Sequence, residues 1–123
     1  MSSKKILLVD DEVDLVETVR FSLEGEGYQV LVSYNGEDAL NKARKENPDL
    51  ILLDLMLPKL DGYKVCRLLK FDERYKHIPI FMLTAKTQEK DKILGKETGA
   101  DAYITKPFDV DELVERIKSY FKD

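Results

Sequence analysis

The chain has no tryptophan, one cysteine (Cys66) and one histidine (His77). A lone cysteine excludes an internal disulfide, and one Cys with one His cannot furnish a structural zinc site. No apolar run is long enough to cross a bilayer, and the amino terminus, MSSKKILLVDD, lacks the apolar region of a secretory signal. Basic runs are absent beyond the pair Lys4-Lys5, and the net charge is -4. Nothing therefore argues for direct contact with nucleic acid or with a membrane. The six glycines, at 25, 27, 36, 62, 95 and 99, form neither a Walker A loop nor a GxGxxG fingerprint, which argues against a nucleotide-binding module. There is no linker, low-complexity segment or fixed-period repeat. These absences suggest a cytoplasmic protein, and 123 residues suit one compact domain over 1–123.

What is present is an alternation of short apolar runs with longer amphipathic ones. The runs are Ile6-Leu7-Leu8-Val9, Val30-Leu31-Val32, Leu50-Ile51-Leu52-Leu53, Ile78-Pro79-Ile80-Phe81-Met82-Leu83 and Ala102-Tyr103-Ile104. Most are continuous, as expected of strands covered on both faces. Helix-like segments follow. Residues 12–25 carry Leu15, Thr18, Val19, Ser22 and Leu23 on one face; 36–46 carry Ala39, Leu40 and Ala43; 61–71 carry Val65, Leu68 and Leu69. Residues 109–121 show the clearest stripe, and 87–98 the poorest, with little beyond Ile93 and Leu94. Five strand–helix repeats imply an α/β, doubly wound (βα)5 fold with a five-stranded parallel sheet, and the expected strand order is 2-1-3-4-5.

In such a sheet, ligands bind beyond the carboxyl ends of the strands. The first run ends in Asp10-Asp11, the third in Asp54, the fourth in Thr84 and the fifth in Lys106-Pro107. Three carboxylates, a hydroxyl and an ammonium would thus share one edge. Clustered carboxylates repel one another unless a cation is present. Oxygen-only ligands with room for water suit a hard octahedral ion, pointing to Mg²⁺. Lys106 and Thr84 could then hold phosphoryl oxygens while the Asp54 carboxylate attacks phosphorus to give an aspartyl phosphate. Read alone, Asp10, Asp11 and Glu12 would only cap a helix, and Tyr103 would need no function.

The motifs VDDE (9–12), LLDLMLPKLDG (52–62), MLTAK (82–86) and GADAYITKPF (99–108), in this order and followed by an amphipathic helix, resemble those of bacterial two-component response regulator receiver domains, which have the fold of the chemotaxis regulator. The resemblance covers residues 4–121. It implies that Asp54 accepts the phosphoryl group and that Asp11, Asp54 and the backbone carbonyl of Met56 bind Mg²⁺, with Asp10 acting through water. It also implies that Lys106 pairs with the phosphoryl group through a cis bond to Pro107, and that Thr84 and Tyr103 form the switch. Met56 and Lys86 would flank the path of attacking water; neither is an obvious general base, which suggests slow self-dephosphorylation.

The implied partners are a histidine kinase and an effector, or a second copy meeting it through the fourth helix, fifth strand and fifth helix. On the first helix, Val13, Val16 and Arg20 lie off the expected core stripe and suggest a kinase-docking patch, with Phe108 and Asp109 at its margin. Lys92, Glu97, Asp101 and Arg116 are similar to the charged residues through which receivers joined to winged-helix domains dimerise. Ala102 stands where those receivers commonly carry a second Asp, which weakens the dimer expectation. A haloacid dehalogenase-type hydrolase would need a second Asp at position 56, where Met56 stands. A degenerate receiver, acting without phosphorylation, is the other alternative.

Overall fold

A computed structural model describes residues 3–85 and 99–122. In chain order the elements are β1 (Lys5–Val9), α1 (Val13–Gly25), β2 (Gln29–Ser33), α2 (Gly36–Glu46), β3 (Leu50–Asp54), α3 (Gly62–Lys70), β4 (Ile80–Ala85), β5 (Ala102–Lys106) and α4 (Val110–Phe121). The helix-like segment 87–98 and Lys86 lie outside the described residues. The five strands form one sheet in the order β2-β1-β3-β4-β5, as expected from the sequence, and every neighbouring pair is parallel.

The continuous apolar runs feed two cores at once, because successive strand side chains point to opposite faces. Leu7, Val9, Ile51, Leu53, Ile80 and Met82 pack with Ala39, Leu40 and Ala43 of α2 and Val65, Cys66 and Leu69 of α3. Ile6, Leu8, Leu50, Leu52, Phe81 and Leu83 pack with Val16, Val19 and Leu23 of α1 and Leu113, Val114 and Ile117 of α4. Full burial of each Val, Leu, Ile, Phe or Met side chain contributes roughly 1.5–3 kcal/mol. The edge strand β2 is only partly covered.

Side-chain caps fix three helix starts. Asn35 accepts from the Asp38 amide, Asp61 from the Lys64 amide, and Asp109 from the amides of Asp111 and Glu112. The fourth start differs: Glu12 occupies the cap position of α1, but its side chain makes no cap bond.

Two helix faces differ from the sequence reading. Val16 is fully buried and belongs to the core, while Thr18 is exposed. The stripe of α1 is Val16, Val19 and Leu23, at i, i+3 and i+7, so Val16 cannot belong to a docking patch; Val13, 57% exposed, still can. On α3 Cys66 is buried beside Val65 and Leu69, and Leu68 faces outward.

At the amino edge of the sheet, Lys70 ties several elements together. Its Nζ donates to the carbonyls of Ile78 (2.8 Å) and Lys76 (3.0 Å) and pairs with Asp101 Oδ2 (2.9 Å). The same Oδ2 accepts from the Ile80 amide at 2.8 Å, and the Asp101 amide donates to the Ile80 carbonyl at 2.9 Å. The Asp101 carboxylate, expected as a dimer contact, is thus engaged inside its own chain.

The loop joining β3 to α3 is held down by two close approaches. A Cβ on Gly36 would lie 1.6 Å from the Leu60 carbonyl oxygen, and one on Gly62 would lie 2.4 Å from that of Asp54. Only glycine lets α2 and α3 start against this loop, and Gly62 donates its amide to the Leu55 carbonyl at 3.0 Å.

Candidate phosphoryl-accepting site

The parallel sheet brings the ends of β1, β3, β4 and β5 to one edge. Asp10 follows β1 and is fully buried. Its amide donates to the Ser33 carbonyl at the end of β2 (3.2 Å), its Oδ1 accepts from the Glu12 amide (3.0 Å), and its Oδ2 accepts from Lys106 Nζ (2.7 Å). Asp54 is the last residue of β3 and is 5% exposed. Its Oδ1 lies 3.4 Å from Lys106 Nζ and accepts from the Met56 amide at 3.4 Å. Asp11 is exposed at the mouth. One carboxylate oxygen from each of Asp10, Asp11 and Asp54 falls within 4.8 Å of the others.

Lys106 ends β5, and its bond to Pro107 is cis. Asp11, Glu12, Asp54, Met56, Ala85 and Lys106 line an open pocket of about 350 Å³. Thr84 lies beside it on β4, one residue beyond Leu83, which pairs with Asp54. Its Oγ1 is buried and has no hydrogen-bond partner among the described residues, and the same holds for the Tyr103 hydroxyl. Tyr103 packs against the core on the α2–α3 face.

Charge among the described residues is unbalanced here. Four carboxylates, from Asp10, Asp11, Glu12 and Asp54, share the pocket with the ammonium of Lys106. Burial, and then the charge of Asp10, push the Asp54 carboxyl up to about 6; Lys106 and the Met56 amide only partly oppose this. Burial works against the charged Lys106, but its hydrogen bond to Asp10 and the charges of Asp54, Asp10 and Glu12 prevail and lift its pKa above the ordinary value. Burial also raises the Tyr103 hydroxyl. A surplus of negative charge, oxygen-only donors and an opening to water fit a hard divalent cation such as Mg²⁺.

The structure thus gathers Asp10, Asp11, Asp54, Met56 and Lys106 around one pocket and sets Thr84 beside it. The sequence reading placed Glu12 in the VDDE motif and, taken alone, at a helix cap, but gave it no role in the pocket; its Oε1 lies 3.3 Å from Lys106 Nζ. The signal that could have found it is its position directly after two strand-end carboxylates.

Comparison with known proteins agrees with this geometry. The family model of the response regulator receiver domain matches residues 6–118. The chain is 51% identical over 120 residues to the alkaline phosphatase synthesis transcriptional regulatory protein PhoP of Bacillus subtilis (strain 168). That match covers 98% of this chain and 49% of PhoP, so the chain spans about half the length of this curated relative. Among solved structures, the chemotaxis response regulator CheY4 of Vibrio cholerae superposes with a TM-score of 0.89 at 32% identity, covering 96% of this chain and 98% of that one. A CheY-like response regulator receiver domain protein from Methanospirillum hungatei JF-1 gives 0.89 at 30% identity, covering 97% and 94%. The match over nearly the whole chain and the edge-to-edge agreement of the fold make this chain a member of the response regulator receiver domain family.

Proposed function

We propose that residues 1–123 form a single receiver domain that works as a phosphorylation-activated switch, with Asp54 accepting a phosphoryl group from a kinase phosphohistidine. The observation that carries this reading is the meeting of Asp54 with Asp10, Asp11 and Lys106 in one open pocket, beside a buried Thr84 hydroxyl lacking a partner among the described residues. Asp11, Asp54 and the Met56 carbonyl would hold Mg²⁺, with Asp10 acting through water; when bound, the ion supplies neutralisation of charge developing on the phosphoryl oxygens.

An Asp54 carboxylate oxygen attacks phosphorus, the P–N bond breaks, and its electron pair stays with the departing imidazole. Lys106 pairs with one phosphoryl oxygen. The Thr84 hydroxyl gains an acceptor and donates to another. The new group adds about -1.5 to -2 charges. Movement of Thr84 leaves room for a change of Tyr103 rotamer, which passes the state to the face that carries β5 and α4. Met56 and Lys86 lack general-base character, so self-dephosphorylation is slow.

A sensor histidine kinase that meets this domain in the cytoplasm is the donor in this reading, and an effector or a second copy is the receiver of the signal. The half-length match to a transcriptional regulatory protein supports an effector of that kind. In this reading exposed Val13 marks the docking face, with Phe108 and Asp109, which precede α4, at its margin. Val13→Glu should slow transfer from the kinase about tenfold and leave acetyl phosphate transfer unchanged; equal slowing with both donors would remove Val13 from the docking face.

The central test is intact mass after incubation with Mg²⁺ and acetyl phosphate, beside an Asp54→Asn control. One Mg²⁺-dependent phosphoryl adduct, absent from the control, is expected. An adduct that persists in Asp54→Asn would move the acceptor elsewhere, and the absence of any adduct with acetyl phosphate or a phosphorylated kinase would favour a degenerate receiver.

A further inference from the structure

The bonding of Lys106 raises a stoichiometric problem. An ammonium has three N–H donors and no acceptor. Asp10 Oδ2 at 2.7 Å, Glu12 Oε1 at 3.3 Å and Asp54 Oδ1 at 3.4 Å surround it, one carboxylate for each donor. A phosphoryl group on Asp54 brings three acceptor oxygens where Asp54 offered one, so it competes with the other two carboxylates for the ammonium's donors.

The three are not equally free to go. Asp10 is fully buried, makes the shortest contact and is fixed by a second bond from the Glu12 amide. Asp54 carries the incoming group itself. Glu12 is different: its side chain is 64% exposed, makes a longer contact and takes no part in capping α1, although it occupies the cap position. Releasing it into water costs little.

We propose that Glu12 is a displaceable counter-ion, a positioning residue that occupies the phosphoryl-binding direction of Lys106 in the resting protein and yields it to the phosphoryl group. This inference rests on the assignment of Asp54 as acceptor. It has two consequences. Glu12 keeps the Lys106 ammonium oriented and matched while no phosphoryl group is present. It also competes with any phosphoryl-like anion, and its negative charge at the pocket mouth adds to that competition, so it weakens anion binding and sets how readily the switch is thrown.

The test is a beryllofluoride titration at saturating Mg²⁺, followed through the amide resonance of Thr84, for the unaltered chain, Glu12→Gln, Glu37→Gln and Asp54→Asn. Glu37 is an exposed carboxylate on α2, outside the pocket. Glu12→Gln should lower the midpoint about threefold to tenfold, with the difference shrinking at high salt. Glu37→Gln should leave the midpoint within about twofold of the unaltered chain. An unchanged midpoint in Glu12→Gln, or an equal shift in Glu37→Gln, overturns the inference. A fold defect in Glu12→Gln would appear as dispersed changes in its spectrum before any addition, and Glu12→Ala then repeats the test. If the unaltered chain fails to bind, or Asp54→Asn binds equally well, it is the assignment of Asp54 that falls.

Discussion

Lys70 and Lys106 stand at opposite edges of one sheet, and both are mostly buried, with side chains 10% and 17% exposed. Lys70 meets one carboxylate and two fixed backbone carbonyls, and its carboxylate partner, Asp101, is also held by the Ile80 amide. Every charge there has its complement. Lys106 meets three carboxylates, and a fourth, that of Asp11, lies close by. The first arrangement is finished and serves stability. Among the described residues the second is short of positive charge and has a hydroxyl beside it without a partner, which under the proposed function a cation and a phosphoryl group would supply. Excess charge of one sign, more than burial of charge itself, separates the binding edge from the structural edge.

This contrast can be broken by experiment. Lys70→Met should have the largest effect on stability, about 3 kcal/mol, because it leaves the Asp101 carboxylate and two carbonyls without their donor. Thermal unfolding should show a loss of about 10 °C, while acetyl phosphate should still label the folded protein at unchanged rate. Loss of labelling in a folded Lys70→Met chain would show that the amino edge is not merely structural.

Asp54→Asn should act in the opposite direction. With its folded pKa raised from 3.8 to about 6, the Asp54 carboxyl favours the folded state only while protonated. That stabilisation is present below the unfolded value and is lost as pH rises through about 6. In metal-free buffer at pH 7.5, Asp54→Asn should therefore be more stable by about 2 kcal/mol in denaturant unfolding. The advantage should shrink by about 1 kcal/mol at pH 5. A destabilised Asp54→Asn would mean that Lys106 already satisfies the site.

Mg²⁺ should sharpen the comparison with a smaller effect. At ten times its dissociation constant it should stabilise the chain by about 1.4 kcal/mol. Calorimetry should detect this gain in Lys70→Met as in the unaltered chain, and detect little of it in Asp54→Asn.

The sheet was legible because its strands are continuous apolar runs bounded by polar residues, and a run such as Leu50–Leu53 can only be covered on both faces. The pocket was legible because a parallel sheet sends every strand end to one side, so Asp10, Asp54 and Lys106 meet whatever the details of the loops. Helix faces were harder. On α1, Leu15 and Val16 are adjacent and both apolar, and the 3.6-residue period fits Val19 and Leu23 with either one; in the fold Val16 enters the core and Leu15 only packs against its margin. Leu68 and Cys66 on α3 posed the same choice. Lys70 and Asp101 are 31 positions apart and look like solvated charges in sequence; only the packing of α3 across β4 and β5 brings them to 2.9 Å. Glu12 fits a helix-capping pattern, and periodicity has no means of distinguishing a carboxylate that caps from one that turns to a lysine.

Gly36 and Gly25 look alike in sequence, each at one end of a helix. Nothing lies within 4 Å of a Cβ added to Gly25, whereas one added to Gly36 would overlap the backbone of the loop that carries Met56 away from Asp54. In evolutionary terms, the two positions have very different freedom. A saturation library sorted for phosphoryl acceptance and sequenced before and after should keep alanine at 25 and purge every replacement at 36. The loop over the pocket therefore fixes the identity of a residue on another helix, and lineages of this domain can replace Gly36 only after that loop has moved away.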